Sequence, residues 1–171
     1  MIDFRELVEA ESQGLVAAAT AIVGDRHRAE EIVQTAFERC YRRWTRVSQL
    51  DRPGAWVRRV VVNEAISVGR RSTSEYRATQ RLGAVAGSPG RVTTDPNEAF
   101  DDVDLWAAVR ALPGDQAAAI ALRYGADLGI DDIAEALRIT VPAVKSLLHR
   151  ARSTLRASPE VQSYAEEGRP S

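Results

Sequence analysis

Cysteine, lysine, histidine and long apolar runs are all scarce in this 171-residue chain, and most of these shortages rule something out. A lone cysteine, Cys40, excludes an internal disulfide and any multi-cysteine metal site. Only His27 and His149 carry imidazoles, and neither stands at a metal-ligand spacing. There is no nucleophile beside a general base and no glycine loop shaped to cradle phosphate, so neither an enzyme nor a cofactor is expected. No apolar run reaches the length of a membrane span, so no membrane insertion is expected. The opening residues, MIDFRELVEAE, are too acidic for a signal peptide, and a cytoplasmic location is expected. Lys145 is the single lysine, so nearly all basic residues are arginine, from which no mechanism follows. With a formal net charge of −1 there is no global attraction to polyanions; only the local distribution of charge is informative.

That distribution is most uneven in residues 129–156, GIDDIAEALRITVPAVKSLLHRARSTLR. Ile133, Ala134 and Leu137 recur at helical spacing, and so do Val144, Leu147, Leu148, Ala151 and Leu155. Thr140 stands where a helix N-cap is wanted, and Pro142 lies in the first turn, where a missing N–H costs little. Two short helices so closely joined must cross steeply, which is a helix-turn-helix. Asp131, Asp132 and Glu135 belong to the first helix. Residues 140–159 contain no carboxylate, while Lys145, Arg150, Arg152 and Arg156 are basic and His149 can become so. A lone basic helix would be read as a solvated face. The cap, the tight turn and the one-sided charge together point to DNA, whose phosphates repel carboxylates and attract cations.

Upstream, Phe4, Leu7, Val8, Leu15, Val16, Ala19 and Ile22 fit one or two helices stopping at Gly24, with Asp25 as the next N-cap. Ala29, Ile32, Val33, Ala36, Phe37, Cys40 and Trp44 form a single apolar stripe. Pro53 suits the first position of a further helix. There, Val60, Val61 and Val62 alone would suit a strand, but the spacing of Trp56, Val60 and Asn63 against Val57, Val61 and Ala65 favours a helix. From residue 69 apolar periodicity fades into serine, threonine, glycine and proline. Helices then recur around Trp106 and over 117–124. The expectation is an all-α chain of two small helical domains: 1–70, a flexible linker 71–100, the helix-turn-helix domain 101–157, and a polar tail 158–171.

The motifs GDRHRAEEIVQTAFERCYRRW, RPGAWVRRVVVNEAI, ALP, IAEAL and VKSLLHRAR, in that order, resemble the sigma-70 family, most of all its SigE-like extracytoplasmic-function group. The resemblance spans nearly the whole chain outside the linker and tail. It implies a transcription initiation factor that binds core RNA polymerase through the β′ clamp helices and the β flap. It further implies that the chain directs the polymerase to promoter DNA and melts it; such factors are often held silent by an anti-sigma partner, and whether this chain has one stays open. Carried onto this chain, polymerase contact falls on Glu30, Glu31 and Gln34. Reading of the −10 element falls on Arg58, Arg59, Asn63 and the loop 45–52. Trp56 could stack on a base, although its spacing fits core packing equally. Reading of the −35 element falls on Lys145, Ser146, His149, Arg150 and Arg152; of these, 145, 146, 149 and 152 share one helical face.

Three residues depart from the family pattern. Arg138 replaces a glycine in the helix-turn-helix turn, Leu147 an arginine, and Thr35 a glutamate. Two other readings stay open at this level: a helix-turn-helix regulator acting without polymerase, and a degenerate sigma-like adaptor.

Overall fold

The computed structural model describes residues 3–81, 102–159 and 161, with no strand among them. Helix α1, Phe4–Val23, begins in a capping box: the Glu6 N–H donates to Asp3 Oδ1 at 2.8 Å, and the Asp3 N–H donates to Glu6 Oε2 at 2.9 Å. It stops at Gly24, whose φ of 78° is the left-handed conformation that a residue without Cβ adopts freely. Asp25 then caps α2, Arg26–Arg42, by accepting the Arg28 N–H at 3.1 Å. The sequence predicted the stop at Gly24 and the cap at Asp25; of the one or two helices it allowed before them, one forms.

Six positions of the expected α2 stripe, Ala29, Ile32, Val33, Ala36, Phe37 and Cys40, are buried. Burial pushes the Cys40 thiol up to about 11, so it packs as a small apolar group. The stripe does not run unbroken to Trp44. The backbone leaves the helical region at Arg43, and Trp44 opens a short turn, α3, Trp44–Val47. There the Trp44 indole meets the Phe4 ring edge-on, with centroids 5.4 Å apart.

Pro53 takes the first position of α4, Pro53–Arg81, as expected. Ala55, Val57, Val61, Val62 and Ala65 are buried in it and Asn63 is exposed, so the three consecutive valines are helical and not a strand. The helix runs past residue 70, through the first part of the stretch read as linker. Fading apolar periodicity there does not end the helical backbone. The remainder of that stretch and most of the tail lie outside the described residues.

Beyond it come α5, Asp102–Ala111, and α6, Gly114–Ile120. The chain then widens into a π turn, Ala121–Gly125, in which the Ala126 N–H reaches back to the Ala121 carbonyl at 3.1 Å. Helices α7, Ile130–Leu137, and α8, Val141–Ala157, are the expected pair. Thr140 caps α8, accepting the Ala143 N–H at 3.3 Å. The turn between them puts Arg138 at φ 57° and ψ 44°, the left-handed conformation that a side chain opposes.

The two bundles are in contact. Their buried residues form one continuous core from Leu7 to Leu155. The π turn lies against α1, where a Cβ on Gly125 would meet the Ala18 backbone at 3.3 Å, so glycine permits the approach. Helix α7 lies alongside α4. On the sequence alone the relative placement of the bundles was open.

Candidate nucleic-acid interface

Helix α8 turns Val144, Leu148, Ala151 and Leu155 into the core and leaves Lys145, Ser146, His149, Arg150 and Arg152 exposed. All five expected −35 residues therefore lie on accessible helix surface, beside the helix start set by Thr140 and Pro142. Arg152 folds back, its Nε–H donating to the Leu148 carbonyl at 3.2 Å. Leu147 is half-buried and packs against the core. Its replacement of a cation thus supplies packing to the bundle. Such a face, free of carboxylates and carrying several cations, can lie along a phosphate backbone and present short polar side chains to base edges.

The expected −10 residues are divided. Arg59 and Asn63 are one turn apart on α4, within about 40° of each other around the axis. Asn63 is exposed and Arg59 half-buried, with no ion pair to Arg59 among the described residues. Arg58 points about 100° away. It forms a fork with Glu11 of α1, Nε donating to Oε2 at 2.8 Å and one terminal nitrogen to Oε1 at 2.6 Å. Both side chains are well covered, 16% and 13% exposed. The other terminal nitrogen lies 3.4 Å from Asp132 Oδ1. In this structure Arg58 is thus engaged by carboxylates and directed away from Arg59 and Asn63. Trp56 is half-buried and packs against the core, in keeping with its packing reading.

Arg52, at the end of the expected −10 loop, reaches the same α7 carboxylates. One of its nitrogens donates to Asp132 Oδ1 at 3.1 Å and to Glu135 Oε2 at 3.0 Å. The hydrogen bond to Glu135, then the charges of Glu135 and Asp132, raise the Arg52 guanidinium further above its ordinary range. Sequence reasoning missed Glu11, Asp132 and Glu135 as partners, because the pairs join residues 47 to 83 positions apart. Leu50, in the same loop, is an exposed large apolar side chain.

Glu30, Glu31 and Gln34 are exposed along the first half of α2. Glu30 pairs with Arg26 at 3.0 Å, Glu31 lies 3.5 Å from His27 Nε2, and Gln34 donates to Glu38 at 3.3 Å. These are exposed one-turn pairs that cost little to exchange for a partner. Gln34 also lines an open groove of about 590 Å³ with Phe4, Val8, Phe37, Glu38, Tyr41 and Arg42. Tyr41 is 66% exposed and leans on Phe4, with ring centroids 5.0 Å apart. An aromatic groove beside the acidic patch was not anticipated, although Tyr41, one place past the stripe, was the available signal. No cluster of metal-binding side chains occurs among the described residues, and no described helix is long and apolar enough to cross a membrane.

Residues 7–75 match the family described as Sigma-70 region 2, and residues 102–155 the family described as Sigma-70, region 4. Among curated proteins, the chain is 28% identical to an RNA polymerase sigma-E factor of Streptomyces antibioticus, covering 95% of this chain and 87% of that one. It is 27% identical to the ECF RNA polymerase sigma factor SigW of Bacillus subtilis, over 90% and 87% of the respective chains. Among solved structures, the fold is similar to that of the sigma factor RpoE in its complex with the anti-sigma factor NepR from Bartonella quintana. That match has a TM-score of 0.67 at 22% identity and covers 96% of this chain and 97% of the other.

Proposed function

Since this chain belongs to the sigma-70 family, as an extracytoplasmic-function factor of the SigE-like group and hence a non-enzymatic promoter-specificity factor of RNA polymerase, we propose a division of labour between its two bundles. Residues 1–70 bind core polymerase and read the −10 element; 101–157 read the −35 element. The observation that carries the proposal is the α8 surface, where Lys145, Ser146, His149, Arg150 and Arg152 are all exposed on a helix with no carboxylate.

Lys145 and Ser146, near the start of α8, meet base edges, and Arg150 and Arg152 contact phosphate. On α4, Asn63 offers a donor and an acceptor to one base edge, with Arg59 one turn away as its cation. Arg58 and Arg52 join them when released from their carboxylates. Glu30, Glu31 and Gln34 accept and donate hydrogen bonds to the β′ clamp helices, and the groove beside Gln34 takes an apolar side chain from the same partner. The second bundle sits on the β flap, and an anti-sigma factor silences the chain by covering these surfaces. The chain works in the cytoplasm, where promoter and polymerase are.

The decisive experiment adds the purified chain to core polymerase, follows co-elution on a sizing column, and maps transcripts that start only in its presence. A complex and a discrete set of start sites are expected. No complex, or unchanged start sites, would overturn the proposal.

A further inference from the structure

Arg52 and Arg58 are proposed above to meet promoter DNA, yet in this structure their guanidinium groups are held by Asp132 and Glu135 of α7 and Glu11 of α1. A guanidinium recognises carboxylate and phosphate through the same fork of donors. The carboxylates therefore occupy donors that a DNA backbone would otherwise use.

Distance sharpens the conflict. Elements centred ten and thirty-five base pairs upstream of a start site are about 25 base pairs apart, or about 85 Å of duplex at 3.4 Å per step. A folded chain of this length has a radius of gyration of about 15 Å, and so a diameter of about 40 Å. In the closed arrangement the two reading surfaces cannot reach both elements. The stretch 82–101 is long enough to allow separation, spanning up to about 70 Å when extended.

We infer that α7 is an intramolecular stand-in for DNA phosphate: by holding Arg52, and by setting Asp132 against the Arg58 nitrogen that Glu11 leaves free, it keeps the bundles closed, and closure and promoter engagement exclude one another. The inference rests on the −10 role of those arginines. Helix α7 precedes the −35 helix across one tight turn, so the two move together, and seating α8 on distant DNA withdraws Asp132 and Glu135, freeing Arg52 and one terminal nitrogen of Arg58. The latch suits a switch because it is weak. Arg52 pairs at the exposed rim, where ion pairs contribute little, and the seam between the bundles includes close passes of small residues, Gly14 on Ala126 and Gly125 on Ala18.

The seam also supplies the test. A Cβ on Gly14 would lie 3.5 Å from the Ala126 Cβ, within the range a disulfide spans. In the full-length Gly14→Cys/Ala126→Cys protein, oxidation is expected to lower run-off transcription by core polymerase at least ten-fold. Reduction should restore it to the level of the unmodified chain. Equal activity of both forms, with the crosslink confirmed on a non-reducing gel, would overturn the latch. Inactivity of the unmodified chain would overturn the promoter reading itself, and the latch with it.

A second measurement does not depend on the crosslink. Asp132→Asn/Glu135→Gln should bind a fluorescein-labelled, mixed-sequence single-stranded 20-mer several-fold more tightly than Glu9→Gln/Asp127→Asn, which removes the same charge elsewhere. Its scattering radius should also increase. Equal affinities, or an unchanged radius, would sink the proposal.

Discussion

Gly125 and Ala18 approach so closely that a methyl on the first would sit 3.3 Å from the Cα of the second. Gly125 closes the π turn of one bundle, and Ala18 belongs to the first helix of the other. A branched side chain at 125 cannot be absorbed there, because what it meets is backbone. Gly125→Val is therefore expected to destabilise the chain by about 1–3 kcal/mol, the usual cost of overpacking. The urea midpoint should fall, and small-angle scattering should report a wider molecule as the seam opens.

The fork between Arg58 and Glu11 is the best-covered ion pair among the described residues. Removing one member leaves the other charged and poorly hydrated. Glu11→Ala should cost about 2–3 kcal/mol, below the 3–5 expected for a fully buried pair because solvent and Asp132 remain within reach. The double variant Glu11→Ala/Arg58→Met should recover part of that loss, since no charge is then stranded. A double-mutant cycle from urea unfolding would measure the coupling, and additive losses would contradict it.

Arg138 holds the left-handed turn between α7 and α8 without the freedom of glycine. That backbone costs an L-residue about 1–2 kcal/mol, and glycine returns part of the gain by loosening the unfolded chain. Arg138→Gly is therefore expected to stabilise by about 0.5–1 kcal/mol. Thermal unfolding checks the sign: a lower midpoint would mean that the Arg138 side chain makes a compensating contact.

Which features the sequence disclosed follows from the range of the forces involved. The α2 stripe, the caps at Asp25 and Thr140 and the stop at Gly24 are set by residues within one or two turns, and each stands where its spacing placed it. The exposed α8 face was legible for the same reason. The partners of Arg58 were not legible because Glu11 and Asp132 come from helices far apart in the chain. The π turn left no pattern, since its small residues answer to the close pass of α1 and not to a period of their own. Helix α4 outruns its apolar periodicity because helical backbone hydrogen bonding does not require an apolar stripe.

A final prediction separates the two reading surfaces by their response to salt. Lys145 and Arg150 are exposed on α8; in the proposed reading Lys145 meets a base edge, while Arg150 contacts phosphate and releases a counterion on binding. Lys145→Ala or Arg150→Ala should weaken the holoenzyme's binding to duplex carrying the −35 element. The slope of log affinity against log salt should fall by about one for each phosphate contact removed. Asn63 carries no charge, and its side chain is exposed on the other bundle. Asn63→Ala should leave that duplex affinity and slope intact while slowing promoter opening, read from permanganate reactivity of unpaired thymines. The contrast matters more than either loss: identical effects of Lys145→Ala and Asn63→Ala in both assays would mean that the bundles do not divide the work.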